Sequence, residues 1–323
     1  MEDALQLWKE MERDASVQGN DITFNILFDA ASKSGNFPLA ERIYKEMESR
    51  NIPFTRFHHV SLIHFFGLKE DPDGVRAAYK EMVEAGEMVD TTVLNCVISS
   101  FFKCREVESA MRVYEHMKGI QAKADGFSSK SHHAENATDV LKRLTKISKT
   151  CPEFRPKLQE LAPTAPDGRT YRTLFEHFAV KTGDFDTVAM LLEDMRTFDV
   201  VVNGGIFLVL FKAFKKHGGY VGTDWTADRL STVLVALLED LDDGVKGLYL
   251  DTWLMMWALR AFGQCTSKEV VLEVYEEFRS RWRLVEDKAQ FMDAYLNNLL
   301  AGKDGAVHRE RFATRMTTRA TRK

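Results

Sequence analysis

The last turn of one helix is written seven times in this chain. Trp8-Lys9-Glu10-Met11 returns as Tyr44-Lys45-Glu46-Met47, Tyr79-Lys80-Glu81-Met82 and Tyr114-Glu115-His116-Met117. Weaker copies follow at Leu192-Glu193-Asp194-Met195, Leu238-Glu239-Asp240-Leu241 and Tyr275-Glu276-Glu277-Phe278. The first four end residues are 36, 35 and 35 positions apart. A fixed step of this size demands one supersecondary unit per period, each unable to bury its apolar face alone. Stacking such units gives an α-solenoid, all helical, whose long side is an extended binding surface.

Between the end motifs lies a second apolar pattern at helical spacing. Phe24, Leu27, Phe28 and Ala31 form one copy; Leu94, Val97, Ile98 and Phe101, then Tyr171, Leu174, Phe175 and Phe178, form others. Turns such as Ser34-Gly35-Asn36 and Thr182-Gly183-Asp184 separate each first helix from its second. The expected organisation is therefore a half repeat at 1–20, three regular hairpins at 21–118, an insertion at 119–167, less regular hairpins at 168–305 and a disordered basic tail at 306–323. Within the insertion, 119–135 reads as a loop. Asn136–Lys149 reads as an amphipathic helix, with Val140, Leu141, Leu144 and Ile147 on one side and Lys142, Arg143, Lys146 and Lys149 on the other. A second surplus of residues falls near Gly218–Asp224. A chain that starts on the second helix of a repeat leaves an apolar face uncovered, so Met1 is expected not to be the natural start.

Charge narrows the function classes only in part. The net charge of −4 excludes an argument from bulk basicity. The repeats are acidic on balance, and the insertion and tail are basic. Four cysteines with no CxxC pair read as reduced thiols. No apolar run is long enough for a membrane span. No catalytic constellation is present, and no cofactor or metal is expected. The zinc-deaminase signature H-x-E with C-x-x-C is missing. His59 and His64 are five apart and off a shared helical face, with no carboxylate or Cys to complete a metal set. No Gly-rich phosphate loop is found.

Ile22-Thr23-Phe24-Asn25 opening a unit and Tyr44-Lys45-Glu46-Met47 closing it resemble the pentatricopeptide repeat. Val93-Leu94-Asn95 with Tyr114-Glu115-His116-Met117 is similar, as is Thr170-Tyr171-Arg172 with the Leu192 motif. The resemblance is good over 4–118, moderate over 168–203 and weak over 204–285, and the irregular rear half resembles fungal mitochondrial members. It implies binding of single-stranded RNA, an organellar transcript or rRNA, with about one base per repeat. It also implies that the residue after the Tyr/Phe of the first helix and the last residue of the unit select the base. Those slots match Asn25 with Thr55, Val60 with Asp90, and Arg172 with Asn203; Asn95 has no last partner that the sequence can place. Val60 lacks the amide that reads a base, and the slot of the last unit falls on Met256. The resemblance further implies RNA-backbone contacts from Lys33, Lys103 and Lys181, and base stacking on Ile22 and Phe57.

An Asn early in a helix is also an ordinary polar residue, and a Lys near a helix C-terminus suits the dipole. The recurrence of Asn25 and Asn95 with Lys33 and Lys103 eight residues on favours RNA contact. The expected function is non-catalytic, sequence-selective RNA binding by a monomer in the mitochondrion, acting in RNA processing, stability or translation. The alternative is a protein-binding scaffold in a ribosomal or RNA-processing assembly.

Overall fold

The structure, a computed structural model, describes residues 2–14, 16–124, 134–282 and 284–303. Among them there is no strand, and the chain forms two compact units, divided between Thr170 and Tyr171. The expected loop at 125–133 and the tail at 306–323 lie outside the described residues.

In the first unit, α1 (Glu2–Arg13) is followed by α2 (Asp21–Lys33), α3 (Phe37–Ser49), α4 (Arg56–Leu68), α5 (Pro72–Glu84), α6 (Thr91–Lys103) and α7 (Val107–Ala124). First helices begin at 21, 56 and 91, and second helices at 37, 72 and 107, so both strings keep a step of 35. The boundaries have a local cause. A short polar residue stands before the starts of α2, α3, α5 and α6 and accepts a backbone N–H that the helix itself leaves unpaired. Asn20 accepts from Thr23 N, Asn36 from Leu39 N, Asp71 from Gly74 N and Asp90 from Val93 N. Helix ends turn left-handed: Gly35 and Gly86 take positive φ, and Asn51, Glu70 and Arg105 do so in the equivalent places without the freedom of glycine.

The closing motif is the core of each hairpin. Met47, Met82 and Met117 are fully buried, each contributing about 1.5–3 kcal/mol by leaving water. On the first helices that these second helices pack against, Phe24, Leu27 and Phe28 of α2, Leu62, Ile63 and Phe65 of α4, and Val97, Ile98 and Phe101 of α6 are likewise buried. The first helices pack side by side, α2 on α4 and α4 on α6. Helices α4 and α6 come close at Gly67, where an added Cβ would stand 2.6 Å from Ser100 Cβ. The Ser100 hydroxyl donates to Ile63 O at 3.2 Å across the same contact.

Helix α7 runs to Ala124, six residues past the expected end of the third hairpin, so 119–124 is helix and not loop. The insertion then forms α8 (Ala134–Thr150), a 3₁₀ turn at Pro152–Phe154 and α9 (Arg155–Glu160). It docks on the turn between α5 and α6. Leu141, Leu144 and Ala162 close an apolar cluster on Met88, with Leu158 at its edge. Lys149 donates to the buried Glu87 carboxylate at 2.6 Å. Gln159 pairs both backbone groups of Val89, at 3.0 and 2.6 Å.

In the second unit, α10 (Gly168–Phe175, whose first three residues belong to the first unit) continues into a π-helical turn at Glu176–Thr182. Then come α11 (Phe185–Thr197), α12 (Gly204–His217), α13 (Ala227–Asp242), α14 (Thr252–Cys265), α15 (Lys268–Arg281) and α16 (Glu286–Leu300). The less regular sequence thus still folds as hairpins. The surplus loop before α13 is pinned by Trp225, which is buried edge-on against Phe185 and Phe214 and donates Nε1–H to Gly183 O at 3.0 Å.

Candidate RNA interface

The N-terminal halves of the first helices carry the side chains to which the resemblance points. Asn25 lies in the second turn of α2 and Asn95 at the same place in α6, and both are shielded from solvent along part of the amide. In each, Oδ1 is buried and accepts no hydrogen bond. A buried acceptor without a donor costs free energy in the folded chain, about 1–3 kcal/mol. At Asn95 the orientation of the amide follows from its neighbour. Nδ2 donates to Asp167 Oδ1 at 3.1 Å, and a carboxylate accepts, so Oδ1 is the atom left without a donor.

Asp167 is the residue that sequence spacing could not place. It stands immediately before α10 and caps it, accepting from Arg169 N and Thr170 N at 3.0 and 2.8 Å. Asp90 stands before α6 in the same role. Asp167 is therefore the last residue of the third hairpin, displaced along the chain by the insertion. The separation from Asn95 is 72 residues, against 30 between Asn25 and Thr55. The available signal was the cap itself: Asp167-Gly168-Arg169-Thr170 opens a helix as Asp90-Thr91-Thr92-Val93 does. The insertion holds this arrangement together, since Thr91 N donates to Pro163 O at 2.8 Å and Thr91 Oγ1 to Ala165 O at 2.8 Å.

Two of the other last-position residues, Asp90 and Asn203, are caps as well. Asp90 is buried, accepts from Val93 N and forms an ion pair with Arg56. Its carboxylate is occupied within the protein, and with Val60 apolar the second hairpin presents no free polar pair. Thr55 precedes α4 without any side-chain cap bond. In the second unit Asn203 caps α12, accepting from Gly205 N at 2.9 Å and Ile206 N at 3.3 Å. Arg172, half-exposed and 3.8 Å from Glu176, reaches the same spot: a Cβ on Gly205 would meet both Asn203 Oδ1 and Arg172 Nη1. Arg172 Nη1 and Asn203 Oδ1 thus both lie near Gly205. Met256 is buried.

Lysines and apolar residues complete the surface. Ile22 and Phe57, each the second residue of its helix, are both 62% exposed. Lys33 is exposed and bridges to Asp29 at 2.6 Å. Burial drives the pKa of His64 in α4 down to about 4, and the charges of Lys103 and Lys33 push it the same way while Asp29 opposes them. Lys33 and Lys103 thus both lie within electrostatic reach of His64. Lys181 is exposed on the π-helical turn. It follows Arg172 by nine residues, where Lys33 and Lys103 follow their Asn by eight, and a π turn accommodates about one such extra residue. Among the described residues no group of three His, Cys, Asp or Glu is placed to hold a metal ion, and no helix is long and apolar enough to cross a membrane.

Comparison with known proteins agrees with this geometry. Residues 4–117 match the family model of the pentatricopeptide repeat-containing protein. A pentatricopeptide repeat-containing protein of Arabidopsis thaliana is 30% identical over 94 residues, which cover 29% of this chain and 19% of that one. A second from the same plant, named as chloroplastic, is 25% identical over 116 residues, covering 36% of this chain and 15% of its own length. The matched segment thus spans less than a fifth of these relatives. Among solved structures, the pentatricopeptide repeat protein PPR10 in complex with an 18-nt psaJ RNA element aligns at 16% identity and TM-score 0.33, over 99% of this chain and 46% of that one. PPR10 from maize aligns at 18% identity and TM-score 0.30, over 88% and 47%. By the match over 4–117 and the hairpins of 35-residue step that fill it, this segment is built of pentatricopeptide repeats.

Proposed function

We propose that the chain binds single-stranded RNA along its first helices, without making or breaking a bond. The observation that carries this reading is the pair of acceptors without a donor, Asn25 Oδ1 and Asn95 Oδ1, with Lys33 and Lys103 at equal distance along their helices. The amides read base edges, and the lysines neutralise phosphates. Asn25 acts with Thr55, Asn95 with Asp167, and Arg172 with Asn203. At the third hairpin the free atoms are acceptors, because Asp167 and Asn95 Oδ1 have no proton to give. That edge suits a base with an imino N–H, uracil or guanine, and disfavours adenine and cytosine. Asp90 acts as a cap and ion-pair partner. Family members act in organelles, and we place this chain in the mitochondrion, in RNA processing, stability or translation. Imaging of a fluorescent fusion made from the full-length coding sequence checks the compartment; a cytosolic signal refutes it.

The binding test uses a random RNA pool at low salt, with the bound fraction sequenced. Affinity should fall steeply as salt rises. Asn95→Ala is expected to relax preference at one base, at a cost of about 1–3 kcal/mol for the preferred sequence. Lys103→Ala should weaken all sequences alike and lower the salt slope by about one. Failure of the chain to bind any RNA at low salt refutes the reading, and equal effects of both variants on every sequence refute the assigned register.

A further inference from the structure

The tyrosines of the closing motif do not all have the same neighbours. Tyr44 of α3 lies against Phe54 and His58, with ring centroids 5.2 and 5.6 Å apart. One repeat of 35 residues further on, the corresponding residues are Tyr79 of α5, Val89 and Val93. Two aliphatic side chains stand where two rings stood, and the space is not refilled. A cavity of about 730 Å³ opens beside Tyr79, between α5, α7 and the insertion. Tyr79, Val83, Val89, Leu94 and Ile120 form its apolar wall, and Pro156 of α9 closes the insertion side. Its polar lining is His116, Arg155, Gln159, Glu160 and Thr164. Gln159 is engaged with the backbone of Val89. Among the described residues, the Tyr79 hydroxyl, the Arg155 guanidinium and the Thr164 hydroxyl have no hydrogen-bond or ion-pair partner, although Thr164 is only 6% exposed. Burial pushes the pKa of the Tyr79 hydroxyl up, so it stays a proton donor.

We propose that this cavity binds a free small aromatic anion, a flat two-ring body carrying one carboxylate or comparable acid group. The occupant follows from what is missing and what is unpaired. The absent phenyl and imidazole rings set the shape of the body, which can lie on Tyr79 as Phe54 and His58 lie on Tyr44. The volume falls within the range of about 300–1,000 Å³ usual for small-molecule sites. Arg155 supplies a planar fork of donors that matches a carboxylate, and the Tyr79 and Thr164 hydroxyls add neutral donors. Glu160, the one carboxylate in the lining, is exposed and hydrated, and it disfavours a second negative charge on the ligand. An aliphatic acid would satisfy Arg155 and leave Tyr79 without a ring to pair with. The site is independent of the RNA reading, because none of Asn25, Asn95, Lys33 and Lys103 lines it.

The test is titration of the whole chain with naphthoate, naphthylmethanol and naphthylmethylammonium, followed by ligand fluorescence or NMR line broadening. Naphthoate should bind saturably, about tenfold more tightly than the alcohol, with the ammonium weakest. Arg155→Ala should cost naphthoate that tenfold and leave the alcohol unchanged. Val89→Phe restores a ring beside Tyr79. It should abolish naphthoate binding while the melting temperature holds or rises. Absence of saturable naphthoate binding refutes the site, and equal binding of all three probes refutes its preference for an anion. Undiminished binding to Val89→Phe places the probe elsewhere and refutes it too. If Val89→Phe fails to fold, Arg155→Ala decides alone, since that residue is half-exposed: no loss of naphthoate affinity overturns the proposal. Displacement of naphthoate by oligouridylate would make the cavity part of an RNA surface. Tighter binding of a blocked phenylalanyl-glutamate dipeptide would make it a peptide site. Either result overturns the assignment to a free small molecule.

Discussion

Lowering the pH from about 7 to about 4.5 is expected to remove roughly 2.5 kcal/mol of stability from the first unit through His58 alone. The ring is buried against Phe54, with centroids 4.2 Å apart, and against Tyr44 and Phe28. Neither ring nitrogen has a hydrogen-bond partner. Burial, reinforced by the neighbouring His59, pushes its pKa down to about 4, whereas an unfolded imidazole titrates near about 6.5. Between those values the unfolded chain holds the proton and the folded chain does not. Stability is therefore complete above the unfolded pKa and falls as the pH drops toward the folded one. His64, also lowered to about 4, and His59, lowered mainly by burial, act in the same direction. The check is hydrogen exchange of α4 or denaturant unfolding at the two pH values. His58→Phe, whose ring fits the same aromatic surroundings, should lose most of this pH dependence and exceed the parent in stability at the acid end. An unchanged pH dependence in the variant would falsify the assignment.

Gly67→Ala is expected to cost the first unit about 2 kcal/mol, as overpacking of a tight helix contact does. The added methyl would stand 2.6 Å from Ser100 Cβ and Oγ and 2.8 Å from its Cα. A rotamer change relieves the hydroxyl, but the backbone contact remains, so α4 and α6 must separate. Ser100→Gly removes the Cβ and is expected to recover about half of that loss when combined with Gly67→Ala, although alone it is destabilising through the missing bond to Ile63 O. A double-mutant cycle by urea unfolding measures the coupling. Additive costs in the double variant would show that the two residues do not define the helix spacing. Because Val60 and Asn95 lie on these two helices, the same change should also disturb the spacing of adjacent base positions.

Much of the fold was legible because its causes are local. Helix starts follow from Asn20, Asp71, Asp90 and Asp251, whose side chains accept the first free N–H groups. The methionine of the closing motif marks the last turn of α1, α3, α5 and α11 because one apolar stripe per repeat must be buried. The extension of α7 to Ala124 was missed, since Gly119 and the polar residues after it read as a turn when helical continuation depends on neighbours. The π turn at Glu176–Thr182 was not visible either: one extra residue in a helix leaves no composition signal.

The sequence by itself determined the period, the hairpins, and the recurrence of Asn and Lys eight residues apart, because helical register is a property of spacing along one chain. Tertiary structure alone decided which polar groups find partners within the protein. It carried Asp167 across 72 residues to Asn95, engaged Asp90 with Arg56, and set Lys212 beside Trp257. Each depends on distance through space between separate helices, and a docked insertion or a neighbouring hairpin can satisfy or expose a polar group without changing the residue at that position.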